Sequence, residues 1–236
     1  MISSIPKWLG DLFEGTLRPN VKIRDTTYLS PKIKKIRFQG NVSRVNIPMG
    51  YANVIRVSET EFRNYTLIHH DTENDIFDIV FHIHGNGVGS HYINGLTKND
   101  ELYISPPRGK KLYEPSVKKQ FIFGDETSLG FASSILPSLK EYKHQYLFCF
   151  ELEEENHNVP QLLGLDLYVV FQKNNSFSNE NWINKLPIFE TDNWLDANFI
   201  LTGNITSIRI FKKILKEKKV NRISSQGYWL EGKKGI

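Results

Sequence analysis

From Thr16 to Ser105 the apolar positions come in short β-rich runs separated by turn residues, and no stretch holds a helical period for long. The runs are Val21 to Leu29, Lys32 to Phe38, Tyr51 to Val57, Arg63 to His70, Asp75 to His84 and Glu101 to Ile104. Asn41, Pro48-Met49-Gly50, Asp71 to Asn74 and Lys98-Asn99-Asp100 punctuate them. Such a series predicts a small antiparallel barrel. After Pro115 the order changes to strand, helix, strand, strand, helix, as in a parallel sheet built from crossovers. Gln120 to Phe123 is an apolar strand that ends at Gly124-Asp125-Glu126-Thr127. Behind it Leu129, Ala132, Leu136 and Leu139 keep a helical spacing that Pro137 is expected to break. Tyr146 to Leu152, Leu165 to Phe171 and Ala197 to Leu201 supply further strands, and Asn204 to Lys218 a long basic helix. The expected architecture is a β domain over residues 1–115 followed by an α/β domain over 116–236.

Composition narrows this picture. With 236 residues, 39% of them hydrophobic and 24% charged, the chain has enough apolar material for a core without covalent staples. The single cysteine, Cys149, lies in the apolar run Tyr146-Leu147-Phe148-Cys149-Phe150 and reads as a small hydrophobe. Met1 to Gly15 places Trp8, Leu9, Leu12 and Phe13 at helical spacing, without an apolar stretch of signal-peptide length. No run is long enough for a membrane span, and a cytoplasmic setting is the expectation.

A net charge of +4 favours anionic ligands but is too small to point to nucleic acid. Arg209, Lys212, Lys213, Lys216, Lys218 and Lys219 crowd the last helix, opposite Ile205, Ile208, Phe211 and Leu215. This face is either a solvated helix surface or an attractor for a phosphorylated cofactor or anionic chelate.

The candidate chemistry begins at Arg63-Asn64-Tyr65-Thr66. Strand alternation sends Arg63 and Tyr65 to one face, where a guanidinium can grip a pyrophosphate and a phenol can lie against a flavin or its ribityl chain. Thr66 falls on the other face unless a bulge re-aims it. A half-exposed strand surface is the plainer reading of the same residues. Next, His84-Gly85-Asn86-Gly87-Val88-Gly89-Ser90-His91-Tyr92 is a glycine-rich turn. If Ser90 begins a short helix, the amides there form an anion site; otherwise the glycines serve only a hairpin loop. His82 and His84 share a strand face and suggest a metal barrel of the cupin type. That pattern wants a glycine and a glutamate where the chain has Ile76, Val88 and Gly89, so the metal reading is set aside. Gly124-Asp125-Glu126-Thr127 puts amides at the carboxyl edge of a sheet, suited to a nucleotide or simply to a helix cap.

Taken in order, these residues resemble the siderophore-interacting protein family, a branch of the FAD-binding ferredoxin reductase-like superfamily. Arg63-Asn64-Tyr65-Thr66 answers its RxYT, and His84-Gly85 with Gly87 to Tyr92 its HG and GPASxW stretch. Asn99-Asp100-Glu101-Leu102 through Pro106-Pro107-Arg108-Gly109 answers GDxLxLxGPxG. Gly124 to Leu129 answers GDETAL, and Gly227-Tyr228-Trp229 with Gly232 answers GYWxxG. The resemblance implies an N-terminal antiparallel FAD-binding β-barrel, then a parallel-sheet α/β nicotinamide-binding domain, with the flavin between them. It implies that Arg63, Tyr65 and Thr66 hold the flavin and its phosphates, and that His84, Val88, Gly89, Ser90 and Tyr92 line the dinucleotide. Asp125, Glu126 and Thr127 would face the flavin edge or the nicotinamide, with Tyr228 and Trp229 near the isoalloxazine.

The activity so implied is ferric-siderophore reduction with NADH or NADPH as donor, in the service of iron transport. Hard oxygen donors hold Fe³⁺ far better than Fe²⁺, so reduction releases the metal. Three departures stand out. Leu67-Ile68 replaces Pro-Arg, Val88-Gly89 replaces Pro-Ala, and Gly203-Asn204 stands where many members have Gly-Glu, which bears on the nicotinamide partner. Two alternatives remain: a general flavin reductase with another acceptor, and a flavin- or siderophore-binding protein without electron transfer. The particular siderophore, the choice of nicotinamide and the oligomeric state are not legible.

Overall fold

The computed structural model describes residues 19–40, 50–85, 87–174, 176–190 and 194–233. The helical spacing of Trp8 to Phe13 and the turn signals at Asn41 and Pro48-Met49 lie outside the described residues. The chain divides into two compact units, the first ending at Lys111 and the second spanning Leu112–Lys233.

In the first unit the sheet order is β3-β4-β5-β2-β1-β6. The strands are β1 (Val21–Ser30), β2 (Ile33–Gly40), β3 (Ala52–Arg56), β4 (Phe62–Asp71), β5 (Ile76–His82) and β6 (Glu101–Leu102), all paired antiparallel. A two-residue connection joins β1 to β2, and the Ser30 hydroxyl accepts from the amides of Lys32 and Ile33 at 3.3 and 3.1 Å, tightening that turn. The sheet curls until its ends meet. Bridges Ala52↔Arg108 and Ile55↔Ile104 connect β3 to the segment after β6, so the barrel nearly closes and its edges are largely removed. Period-two alternation supplies the core. Ile36 and Phe38 of β2 face Ile79 and Phe77 of β5 across the ladder, and Phe38 stacks on Phe77 at 5.2 Å. One helix, α1 (Val88–Gly95), follows β5 and buries Ile93 against this core.

The second unit holds a five-stranded parallel sheet in the order β11-β10-β7-β8-β9. Its strands are β7 (Lys119–Gly124), β8 (Gln145–Leu152), β9 (Tyr168–Gln172), β10 (Asn198–Asn204) and β11 (Ile223–Trp229). Helix α2 (Leu129–Glu141) links β7 to β8, and α3 (Ile205–Glu217) links β10 to β11. The near-continuous apolar composition of β7, β8 and β10 is that of strands buried on both faces.

Two expectations need correction. Pro137 does not break the helix: α2 runs through it to Glu141, because Leu136 and Leu139 on either side are anchored in the core. Their burial outweighs the roughly 3 kcal/mol that an interior proline costs. Tyr228-Trp229, which lies in none of the strands expected from the sequence, is the second. It ends β11, a strand whose residues Ile223-Ser224-Ser225-Gln226-Gly227 give no apolar pattern and which is recruited by parallel pairing to β10. Among the described residues no helix is long and apolar enough to cross a membrane.

Candidate cofactor sites

In the barrel, β4 pairs with β3 as far as Thr66 and with β5 from Leu67 onward, with a register irregularity between Leu67 and His69. The register is regular from Phe62 to Thr66 and the irregularity falls after Leu67, where the strand changes partner, so it does not re-aim Thr66, which stays on the face opposite Arg63 and Tyr65. The Tyr65 ring meets Phe81 edge-on at 4.6 Å, so its body is committed to the barrel core, and burial pushes its phenol pKa up. Its hydroxyl reaches further, to α1. A Cβ built on Gly89 would stand 3.1 Å from Arg63 Cγ and 3.2 Å from Tyr65 Oη. A side chain at this position would press on both, and glycine gives the helix backbone its close approach to the arginine and tyrosine. Two segments more than twenty residues apart in the sequence are therefore in direct contact.

The turn before α1 differs from the expected form. The helix begins at Val88 rather than Ser90, Gly87 is its cap residue, and no side chain caps its N-terminus. Ser90 is buried, and its hydroxyl accepts from the His84 amide at 3.2 Å, so it ties the strand exit to the helix. The His84 ring lies over Gly87, Val88 is exposed, and Tyr92 packs against the barrel core. An uncapped first turn with no acidic residue leaves amides and a positive partial charge for an anion. Arg63 stands beside it, its Nη2 paired with Glu61 at 3.0 Å and its Nη1 donating to the Phe62 carbonyl at 2.8 Å. Glu61 was not singled out from the sequence; a carboxylate two residues from an arginine on one strand face was the available signal.

The fit of a dinucleotide to this corner can be judged from the donors present. A guanidinium, a glycine-lined approach and helix amides with no side-chain cap among the described residues converge within one small region, which is the donor set a diphosphate requires.

In the second unit the sheet order reverses between β7 and β10, the point where open parallel sheets bind ligands beyond their carboxyl ends. Asp125 sits there. Its carboxylate accepts from the Thr127 amide at 2.9 Å, the Asn204 amide at 2.8 Å and the Trp229 indole at 2.6 Å. It is 2% exposed, and burial, followed by the Glu126 charge, pushes its pKa up against the opposing pull of Lys173 and its donors. Gly203 adopts φ +100° with Asp125 oxygen 2.6 Å from where a Cβ would be, so this position admits glycine alone. Glu126 is likewise turned inward. It accepts from the Glu153 amide at 2.7 Å and pairs with Lys173 at 2.8 Å. The two acids therefore organise the sheet edge from beneath, while Lys173 lies 5.2 Å from the Trp229 ring centroid.

Lys173 and Glu151 were missed in the sequence. Glu151, 4% exposed, accepts from the Ser207 hydroxyl at 3.2 Å, and burial pushes its pKa up to about 6. A carboxylate inside an otherwise apolar strand was the signal for it. Asn204 caps α3, its side chain accepting from the Thr206 amide at 2.8 Å, which gives the departure from Gly-Glu a local reason. Tyr228 is half-buried, its phenol pKa raised by burial and then by the Asp125 charge. Gly227 has Ile205 Cγ1 2.2 Å from a notional Cβ, so β11 and α3 touch at this glycine.

Residues 20–113 match the family model described as the oxidoreductase FAD-binding domain. The barrel thus falls in the class of FAD-binding oxidoreductase domains. The whole chain is similar in fold to the siderophore-interacting protein from Acinetobacter baumannii, with TM-score 0.76, 18% identity and 92% of each chain covered. It is similar to a siderophore utilization protein from T. fusca, with TM-score 0.73, 16% identity and 92% of this chain and 94% of that one covered. It also resembles a mutant ferredoxin-NADP+ reductase from Plasmodium falciparum, with TM-score 0.68, 16% identity and coverage of 89% and 95%. At such identities the likeness is one of fold, and it bears out the expected ferredoxin reductase-like architecture. Comparison of the sequence with curated proteins gives no match.

Proposed function

We propose that this chain is an NAD(P)H-dependent flavoprotein reductase whose acceptor is a ferric siderophore. The observation that carries the flavin part is the convergence of Arg63, the Tyr65 hydroxyl and Gly89 at an uncapped helix terminus, inside the segment that matches the FAD-binding domain. Arg63 and the amides following Gly87 would hold the diphosphate of FAD. Thr66, His84, Val88, Ser90 and Tyr92 would line the rest of the dinucleotide. Bound FAD would supply hydride acceptance and single-electron delivery, chemistry that no protein side chain offers.

At the sheet edge of the second unit, Asp125 orients the Trp229 indole and, with Glu126 and Thr127, shapes the bed for NADH or NADPH. Tyr228 supports the strand that carries Trp229. No side chain acts as nucleophile in this scheme; the protein binds, orients and excludes water. The siderophore is favoured as acceptor by the order of motifs from Arg63 to Trp229 and by the names of two similar structures. The likeness to a ferredoxin-NADP+ reductase favours a second reading, the same reductase with another acceptor. Cytoplasm, where NAD(P)H is available, is the proposed setting.

The tests are direct. Freshly purified protein should be yellow, and Arg63→Ala should retain FAD less well by about 2 kcal/mol, a roughly thirtyfold weaker affinity in a flavin titration. Undiminished flavin content in that variant would contradict the assignment. Under anaerobic conditions NADH or NADPH should bleach the flavin, and a ferric siderophore should restore its colour as Fe²⁺ appears in a ferrous-specific chelator. Bleaching by a donor with no response to any ferric chelate selects the second reading.

A further inference from the structure

Lys34 lies on β2 in phase with Ile36 and Phe38, the strand's core-facing residues, and its side chain is 2% exposed. A lysine in that phase must find acceptors or lose its charge. It finds three. Its Nζ donates to the carbonyls of Ile93 at 3.1 Å, Asn94 at 3.0 Å and Leu96 at 2.7 Å, all at the C-terminal end of α1. The ammonium also lies 5.4 Å from the centroid of the Tyr28 ring, and the Tyr28 hydroxyl donates to Asn94 Oδ1 at 2.6 Å. Burial lowers the Lys34 pKa while the charge of Asp100 raises it.

The opposite end of the same helix is the one proposed to meet the diphosphate. With eight residues, α1 is too short to hold itself in place, so its position is set by what grips it. Ile93 anchors one side in the core, and Lys34 anchors the carbonyl end. A cation at the C-terminus also neutralises the negative end of the helix dipole, leaving the positive end at Gly87 to Gly89 unopposed. No acidic residue lies in the first turn to cancel it.

We propose that Lys34 is a positioning residue for the phosphates of FAD: by holding α1 through its last carbonyls, it fixes where the N-terminal amides stand beside Arg63. The proposal rests on the FAD reading above. The experiment uses the full-length chain and two probes, FAD and riboflavin, the second carrying the ring system without phosphates. Dissociation constants are measured by flavin fluorescence for wild type and Lys34→Met, at a temperature where circular dichroism shows both folded. Lys34→Met should weaken FAD about tenfold and change riboflavin by less than about twofold, since the loss falls on the phosphate end. Lys34→Gln, which keeps two N–H donors without the charge, should fall between; it carries the same comparison if Lys34→Met does not fold. Unchanged FAD affinity in the folded variant, or an equal loss for both probes, overturns the positioning role. A wild-type protein that binds neither probe instead overturns the FAD reading itself.

Discussion

Glu151 illustrates how a single buried side chain ties stability to pH. Its folded value of about 6 lies above the ordinary 4.5, so between these pH values the native protein holds a proton that the unfolded chain has released. The stability contributed by this group is therefore fully present below about 4.5 and falls as pH rises through about 6. Glu151→Gln should remove that loss, stabilising the protein by about 2 kcal/mol at pH 8 and by little near pH 4. Denaturant unfolding at the two pH values checks this; an equal effect at both would mean that the carboxylate's charge is not the cause. Asp125 is the contrasting residue. Its donors come from three separate segments, and the glycine opposite it leaves no room for a side chain, so it acts as a fixed hub.

At the level of the elements, the ends matter more than the middles. Helix α3 carries a strongly amphipathic pattern, with Ile208, Phe211, Ile214 and Leu215 buried, and its start is set by the Asn204 cap. Asn204→Ala should cost about 1 kcal/mol, read as a lower denaturant midpoint with unchanged slope. The Asn204 amide that reaches Asp125 belongs to the backbone and survives the substitution, so flavin content should not change. Helix α1 is the opposite case, uncapped at its N-terminus and held instead at its C-terminus by Lys34. Strand β11 exists because β10 offers an open parallel edge, not because its own residues prefer to be extended.

For the molecule as a whole, each of the two units has its own apolar core, one around Phe38, Phe77 and Phe81 and one around Phe121, Phe123 and Phe211. Any ligand that binds only the native form must stabilise it by mass action. FAD at about one hundred times its dissociation constant should therefore stabilise the barrel unit by about 2.7 kcal/mol, seen as an upward shift in its thermal transition. Riboflavin at the same concentration should shift it less if the phosphates carry much of the binding. Absence of any shift with FAD would remove the cofactor from the proposed function.

Much of this protein could be read from residue order. The change from period-two runs to strand and helix alternation after Pro115 announced the barrel and the parallel sheet, because burial on one face or both leaves its mark on every strand. The motif from Arg63 to Thr66 and the glycines at 87 and 89 marked the place where Arg63, Tyr65 and the start of α1 come together. What the sequence could not contain is which partners its charged groups would meet. Lys34 on the end of α1 and Asp125 on Asn204 and Trp229 are decided only by tertiary packing. Buried charges must be satisfied by whatever donors or acceptors the fold brings near, and those partners come from distant parts of the chain. The same holds for Pro137 and β11, where core contacts and an open sheet edge outweighed local preference.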